Sequence, residues 1–421
     1  MPTAAGAEVA LALEQAHREW GFVLAATIRV AGDIDSAEEA VQDAYAVALA
    51  TWPDRGIPAN PAAWLTVTAR RRALDVHRRE ATARRALPKL VDPEPEPIDE
   101  QVEAMDGIPD ERLRLIFTCC HPALAPEAQV ALTLRLVCGL ATPEIARAFL
   151  VQEATMAARI TRAKRKIQVA NIPYRVPEGD ELPARLEQVL DVVHLVFTTG
   201  HSAPSGAQLT RGDLAERGVE LARMLRALLP SDPDVAGLLA LVLLTDARRA
   251  ARVDVAGRLV LLEEQDRATW DRAAIADGAS LVAEALGAVR PGRPPGRYAV
   301  MAAIAAVHDE SPTWADTDWD AILALYDVLR VTWPTPVVEL NRAIALGFAD
   351  GPAAGLAELD DLAADPRLAR YPYLAAARAD CLRRLGRTAE ARIAYDEALI
   401  LTDNEVEREF LARRISALGG G

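Results

Sequence analysis

The chain has 421 residues, 51% hydrophobic and 5% aromatic, with a formal net charge of -14. At roughly 100 to 200 residues per domain this length calls for two to four domains. Strand-like alternation is scarce, and the longest apolar runs, 235–244 and 298–307, fall short of the ~20 residues that cross a bilayer. The expectation is an all-helical chain with core helices and no membrane contact.

The beginning, MPTAAGAEVALALEQ, has no basic leader and carries Glu8 and Glu14, so no secretory signal and a cytoplasmic location are expected. The charge is unevenly spread. Residues 70–89 hold 8 basic and 2 acidic residues, 141–170 hold 6 and 2, and 91–110 hold 8 acidic and no basic ones. Residues 176–421 carry -12 of the net -14. Salt screens exposed charges beyond ~10 Å, so a phosphate backbone would feel the local basic blocks and not the distant acid.

In chain order, DIDSAEEAVQDAYAVALATWP (33–53) predicts a helix starting at Asp35 or Ser36, with Ala40, Val41, Ala44, Val47 and Ala48 as its apolar stripe. Its acidic face is either solvated or docks on a basic protein surface. The next block, 60–85, predicts a long helix with Pro61 in its first turn. Trp64, Leu65, Val67, Ala69, Ala73, Leu74 and Val76 are its apolar positions; Thr66, Thr68, Arg70, Arg71, Arg72, Asp75 and Arg79 are polar. Trp64 beside arginines is either core or a platform for an unstacked base. The acidic, proline-bearing run that follows reads as an extended linker.

Cys119, Cys120, Cys138 and Cys381 show no disulfide framework spacing, so reduced thiols are expected. The CCH at 119–121 matches no zinc pattern, and no metal or cofactor is expected. Further on, Thr142 is expected to cap a short helix, with Pro143 at its first position and Glu144 in its first turn. Ile145, Ala146, Phe149 and Leu150 form its apolar face. After a break at Val151-Gln152, a second helix has Met156, Ile160, Ala163 and Ile167 as one buried stripe. Two short helices with a basic second one make a helix-turn-helix. Glu153, Ala154, Thr155 and Ala158 would then reach base edges, and Arg159, Arg162, Lys164, Arg165 and Lys166 phosphates or bases. The alternative is a helical hairpin with a solvated basic face.

Residues 183–421 read as helical throughout. PAAGLAELDDL (352–362) echoes AEARIAYDEAL (389–399), offset by 37 residues, near the ~34-residue tetratricopeptide (TPR) period. Gly386 falls at the turn of that repeat, and such repeats bind proteins or peptides. The cluster Asp246, Arg248, Arg249, Arg252, Glu263, Glu264, Asp266, Arg267 and Trp270 forms either structural salt bridges or a polar site. His194 and His201 flank FTTG without a nucleophile, phosphate loop or metal-spaced acids, so no enzyme is expected.

Taken in order, DIDSAEEAVQDAYAVAL, NPAAWLTVTARRRALDVHRRE and LTLRLVCGLATPEIARAFLVQEATMAARITRAKRKI resemble the extracytoplasmic-function sigma factors of the bacterial sigma-70 family. The resemblance implies sigma region 2 over 8–86, an acidic linker over 87–107, region 4 over 108–172 and a TPR-like regulatory domain over 183–421. It implies that Asp35, Glu38, Glu39, Gln42 and Asp43 grip the β′ clamp of core RNA polymerase, with the β subunit also a partner. It further implies that Asn60, Trp64, Thr66, Thr68, Arg70, Arg71, Arg72, Asp75 and Arg79 face the promoter -10 element, and that the helix from Glu153 reads the -35 element. Sigma region 3 of larger relatives has no counterpart. The second half resembles the C-terminal extension of a subgroup commonly encoded near small YCII-related (DGPF) proteins. That subgroup generally lacks a dedicated anti-sigma factor, which implies control by the extension and a protein or peptide partner on its TPR-like surface. A stand-alone helix-turn-helix regulator with a TPR-like sensor domain is the alternative.

Overall fold

The computed structural model describes residues 4–17, 19–86, 108–149, 151–202, 206–289, 292 and 294–419. The expected linker over 87–107 and Leu150 lie outside them. The chain divides into two compact units, Met1–Val192 and Val193–Gly421.

The first unit is built around α2, Trp20–Ala31, which is buried on nearly every side. Around it pack α3 (Ile34–Arg55), α4 (Pro61–Ala86), α5 (Ile108–Cys119) and a single π-helical turn, Thr133–Val137, that continues α6 (Pro126–Leu132). The π turn shows in the Cys138 amide donating to the Thr133 carbonyl at 3.2 Å. Close approach of α2 to that turn requires a glycine: a Cβ on Gly21 would stand 2.4 Å from the Val137 carbonyl oxygen. α1 (Ala4–His17), α7 (Thr142–Ala148), α8 (Glu153–Val169) and the first part of α9 (Glu181–His201) complete the unit. Arg185 of α9 donates to the Phe117 carbonyl at 2.6 Å, so the start of α9 packs with this unit.

Helix starts follow capping chemistry, with two shifts from expectation. α3 begins at Asp33, whose carboxylate accepts from the Ser36 amide and hydroxyl at 2.9 and 2.6 Å, rather than at Asp35 or Ser36. For α7 the cap is Ala141, not Thr142, because Glu144 reaches back to accept the Ala141 amide at 2.7 Å. On α4 the buried positions are Leu65, Ala69 and Ala73. Val67 and Val76, expected to be apolar contacts, are about half exposed, at 47% and 46%, because only one stripe of a 3.6-residue helix can face the core.

The second unit is centred on α11 (Pro233–Asp246), buried without a break from Val235 to Leu244. Helices α10 (Gly212–Leu228), α12 (Arg272–Gly287) and α13 (Arg297–Glu310) surround it, which explains its unbroken apolar run. Asp232 caps it, accepting from the amides of Asp234 and Val235 at 3.0 and 3.1 Å. Next come α14 (Trp319–Thr332), α15 (Pro336–Ala349), α16 (Pro352–Leu362), α17 (Pro372–Arg384), α18 (Thr388–Leu401) and α19 (Glu405–Ala417). The echoing segments form α16 and α18, each packed on the helix before it. Large and small residues such as Leu340, Ala343, Leu359, Ala379, Ala394 and Ala398 share one core. Gly386 ends α17 at φ +74°, in the left-handed region. Among the described residues no strand is formed and no helix is long and apolar enough to cross a membrane.

Candidate nucleic-acid and polymerase interfaces

The buried stripe of α8 is the expected one: Met156, Ile160, Ala163 and Ile167 are all buried. This orients the remaining positions. Glu153, Ala154, Thr155, Arg162, Arg165 and Lys166 are exposed, and Ala158 and Arg159 half-buried. The N-cap, Gln152, makes no side-chain capping bond, and of the first-turn amides its carbonyl accepts that of Thr155, at 3.0 Å. An exposed helix start carrying polar residues, with cations further along the same helix, suits a phosphate-lined groove.

Lys164 lies elsewhere. Its ammonium donates to Asp35 Oδ1 at 2.8 Å and, in a very short contact, to Glu38 Oε2. Burial opposes its charge, but Glu38 and Asp35 outweigh that and hold its pKa above the ordinary lysine value. Arg135, from the π turn, approaches Glu38 Oε1 to 2.9 Å. That pair is close without hydrogen-bond alignment, since Glu38 Oε1 has no bonded partner. Arg135 also donates to the Leu140 carbonyl at 3.2 Å and stands 5.9 Å from the Trp20 ring centroid. Sequence reasoning overlooked Arg135; a lone cation within the apolar run LTLRLVCGL was the available signal.

The five acidic and amide residues expected on α3 are thus not equivalent. Glu38 is buried, its side chain 6% exposed, whereas the Asp35 side chain is 57% exposed, and Glu39, Gln42 and Asp43 are exposed. A cleft of about 290 Å³ lies between α3 and α8, lined by Asp35, Glu38, Glu39, Gln42, Arg135 and Lys164 among others.

On α4, Asn60 caps the helix by accepting the Ala63 amide at 3.0 Å. Trp64 is half-buried and meets Trp52 edge to face at 5.4 Å, so one side of the ring is committed to packing. Thr66 Oγ1 donates to the Ala62 carbonyl at 2.8 Å. Thr68 and Arg70 are half-buried, while Arg71, Arg72, Asp75 and Arg79 are exposed along the helix.

The cysteines of the CCH sequence are interior. Cys119 and Cys120 are buried, with Cys120 Sγ 3.6 Å from Thr133 Oγ1, and burial pushes the Cys120 thiol up to about 12. Among the described residues no group of three or more histidines, cysteines or acids is arranged to hold a metal.

The charged cluster of the second unit resolves into separate structural contacts. Arg249 joins Asp246 and Glu216, both at 3.2 Å. Arg248 meets Asp309 at 3.3 Å. Arg252 donates to the His201 carbonyl and to Ser202 Oγ. Arg267 donates to the carbonyls of His308 and Ser311, both at 2.6 Å, with its guanidinium 4.7 Å from the Trp270 ring centroid. Glu263 and Glu264 face Arg414, and Asp266 accepts the Ala268 amide. His194 packs on Tyr298 and His201 on Phe197. Desolvation lowers their pKa values to about 4 and about 2, that of His201 with help from Arg252.

Comparison with known proteins identifies three segments of the chain. Residues 17–83 match the family model for sigma-70 region 2 and residues 114–167 that for sigma-70 region 4. Residues 185–286 match a family of unknown function, DUF6596. An uncharacterized protein of Rhizobium meliloti (strain 1021) is 40% identical over 399 residues, covering 94% of this chain and 93% of that protein. No solved structure matches. With two regions of one family present in that order, ahead of a DUF6596 domain, the chain belongs to the sigma-70 family of RNA polymerase sigma factors.

Proposed function

We propose that this sigma factor is of the extracytoplasmic-function type and selects promoters through three surfaces. Asp35, Glu38, Glu39, Gln42 and Asp43 of α3 dock on the β′ clamp of core polymerase, and region 4 adds contacts to the β subunit. The exposed side of α8, from Glu153 to Lys166, reads the -35 element, with Arg159, Arg162 and Arg165 on phosphates or bases. The helix from Asn60 to Arg79 engages the -10 element, where its arginines hold the strand and Trp64 offers its free face to an unstacked base. The second unit, read as TPR-like, regulates initiation by binding a protein or peptide.

The observation that carries this reading is α8. Its buried stripe leaves Arg162, Arg165 and Lys166 exposed, and no carboxylate pairs with them among the described residues. Cations left unneutralised on a packed helix are what phosphate binding uses.

In vitro transcription with core polymerase tests the whole reading. The full chain is expected to initiate from its promoter. Asp43→Arg is expected to abolish core binding and transcription together. Arg159→Ala with Arg162→Ala is expected to leave core binding intact while lowering the salt slope of -35 duplex binding by about two units. A chain ended after Val192 is expected to change the transcription rate. Normal core binding by Asp43→Arg, or an unchanged salt slope, would remove the corresponding surface; an unchanged rate after truncation would remove the regulatory role.

A further inference from the structure

We infer that the first unit masks its own polymerase-docking face: Lys164 of α8 and Arg135 of the π turn occupy Glu38 and Asp35 of α3 until core polymerase displaces them. The inference rests on the docking role proposed for α3, and it concerns how that role is regulated.

Three observations carry it. Lys164 touches Asp35 and Glu38 at once, so a residue of the proposed -35 helix is committed to the proposed docking helix. The Glu38 carboxylate is buried under two cations, so no partner can bind it while region 4 stays in place. The surrounding interface is close-packed: α2 lies against the π turn at Gly21, and His17 Nε2 stands 3.0 Å from the Gly139 carbonyl. Packed interiors switch between discrete arrangements and do not deform gradually.

The masking is incomplete in a useful way. Glu39, Gln42 and Asp43 remain exposed beside the cleft, so a basic partner surface can land on them first and then compete for Asp35 and Glu38. Such a competitor lowers apparent affinity by the fraction of molecules in which the face is free. Removing the internal cations should therefore tighten binding to polymerase, the opposite of what loss of an ordinary structural or DNA-contacting lysine would do.

The test measures binding of the full-length protein to core polymerase without DNA. Lys164→Gln is expected to bind roughly tenfold more tightly than wild type, and Lys164→Glu at least as tightly. Equal or weaker binding by a folded Lys164→Gln protein overturns the inference. Should these variants not fold, hydrogen exchange on the wild-type protein decides. Adding core polymerase should deprotect amides of the π turn and α8 that contact α2 and α3, and unchanged protection there overturns the inference. Asp43→Arg separates the two claims: Asp43 takes no part in the internal pair, so normal core binding by that variant sinks the docking role itself, whatever Lys164 does.

Discussion

Each unit holds a carboxylate buried against cations, and the two are built differently. Glu38 sits at the wall of an open cleft, with Lys164 and Arg135 reaching it from region 4 and Asp35 sharing the lysine at the solvent edge. Asp309 lies wholly inside the second unit, 0% exposed, with Arg248 at 3.3 Å and neither carboxylate oxygen in an aligned hydrogen bond. Desolvation, only partly countered by Arg248, Arg267 and Arg272, raises its pKa to about 6. Burial raises the cost of leaving a charge unpaired, while access to solvent lets one partner replace another. The interior pair is therefore a fixed part of the fold, and the cleft pair is exchangeable.

The largest expected effect tests the interior side of this contrast. Asp309→Ala leaves Arg248, whose side chain is only 14% exposed, without its counter-charge. Breaking a buried pair in this way typically costs about 3–5 kcal/mol. Denaturant unfolding followed by a probe in the second unit should show that loss; a change below about 1 kcal/mol would mean that the pair is no more integral than a surface one.

A smaller effect should appear with pH. In the second unit, desolvation lowers the pKa values of His194 and His308 to about 4 and that of His201 to about 2. They stay neutral in the fold while the unfolded chain takes protons below about 6.5. Their contribution is whole above 6.5 and is lost as the pH falls toward the folded values. Asp309 runs the other way, because a folded value raised to about 6 makes the folded unit bind that proton more tightly than the unfolded chain does. Burial raises the Asp246 and Glu407 carboxyls in the same sense as Asp309, and the three histidines outweigh them, for a net loss of about 1–2 kcal/mol between pH 7 and pH 6. Asp309→Asn should steepen the dependence. A stability that rises on acidification across this range would reverse the assignment.

What could be read from sequence divides along the same line. Periodicity shows which side of a helix is buried, so the α8 stripe from Met156 to Ile167, the apolar α11 and the Gly386 turn were all legible. It does not show what stands opposite. Lys164 looked like another member of the DNA-facing row because its partners, Asp35 and Glu38, lie more than a hundred residues earlier. Asp309 did not figure in the charged cluster at all, since its partner Arg248 is on a different element. The cap shifts at Asp33 and Ala141 have a local cause: of the polar residues within one turn of α3, Asp33 has the side-chain geometry to cap it, and at α7 Glu144 reaches back to the Ala141 amide from three residues on.

The smallest effect probes the outer edge of the cleft pair. Asp35 accepts from Lys164 at 2.8 Å, yet its side chain is 57% exposed, so water can replace the lysine when the pair opens. Exposed ion pairs contribute about 0–1 kcal/mol, and Asp35→Asn keeps an acceptor oxygen for the ammonium. Unfolding of the first unit should move by less than about 1 kcal/mol in this variant, against several for Asp309→Ala. Glu38 retains both cations in that case, so the cleft pair loses its solvent-side partner and keeps its buried one. A loss as large as that of Asp309→Ala would show that the cleft pair is as integral to its unit as the interior pair is to the other, and that it cannot be given up to a binding partner without unfolding.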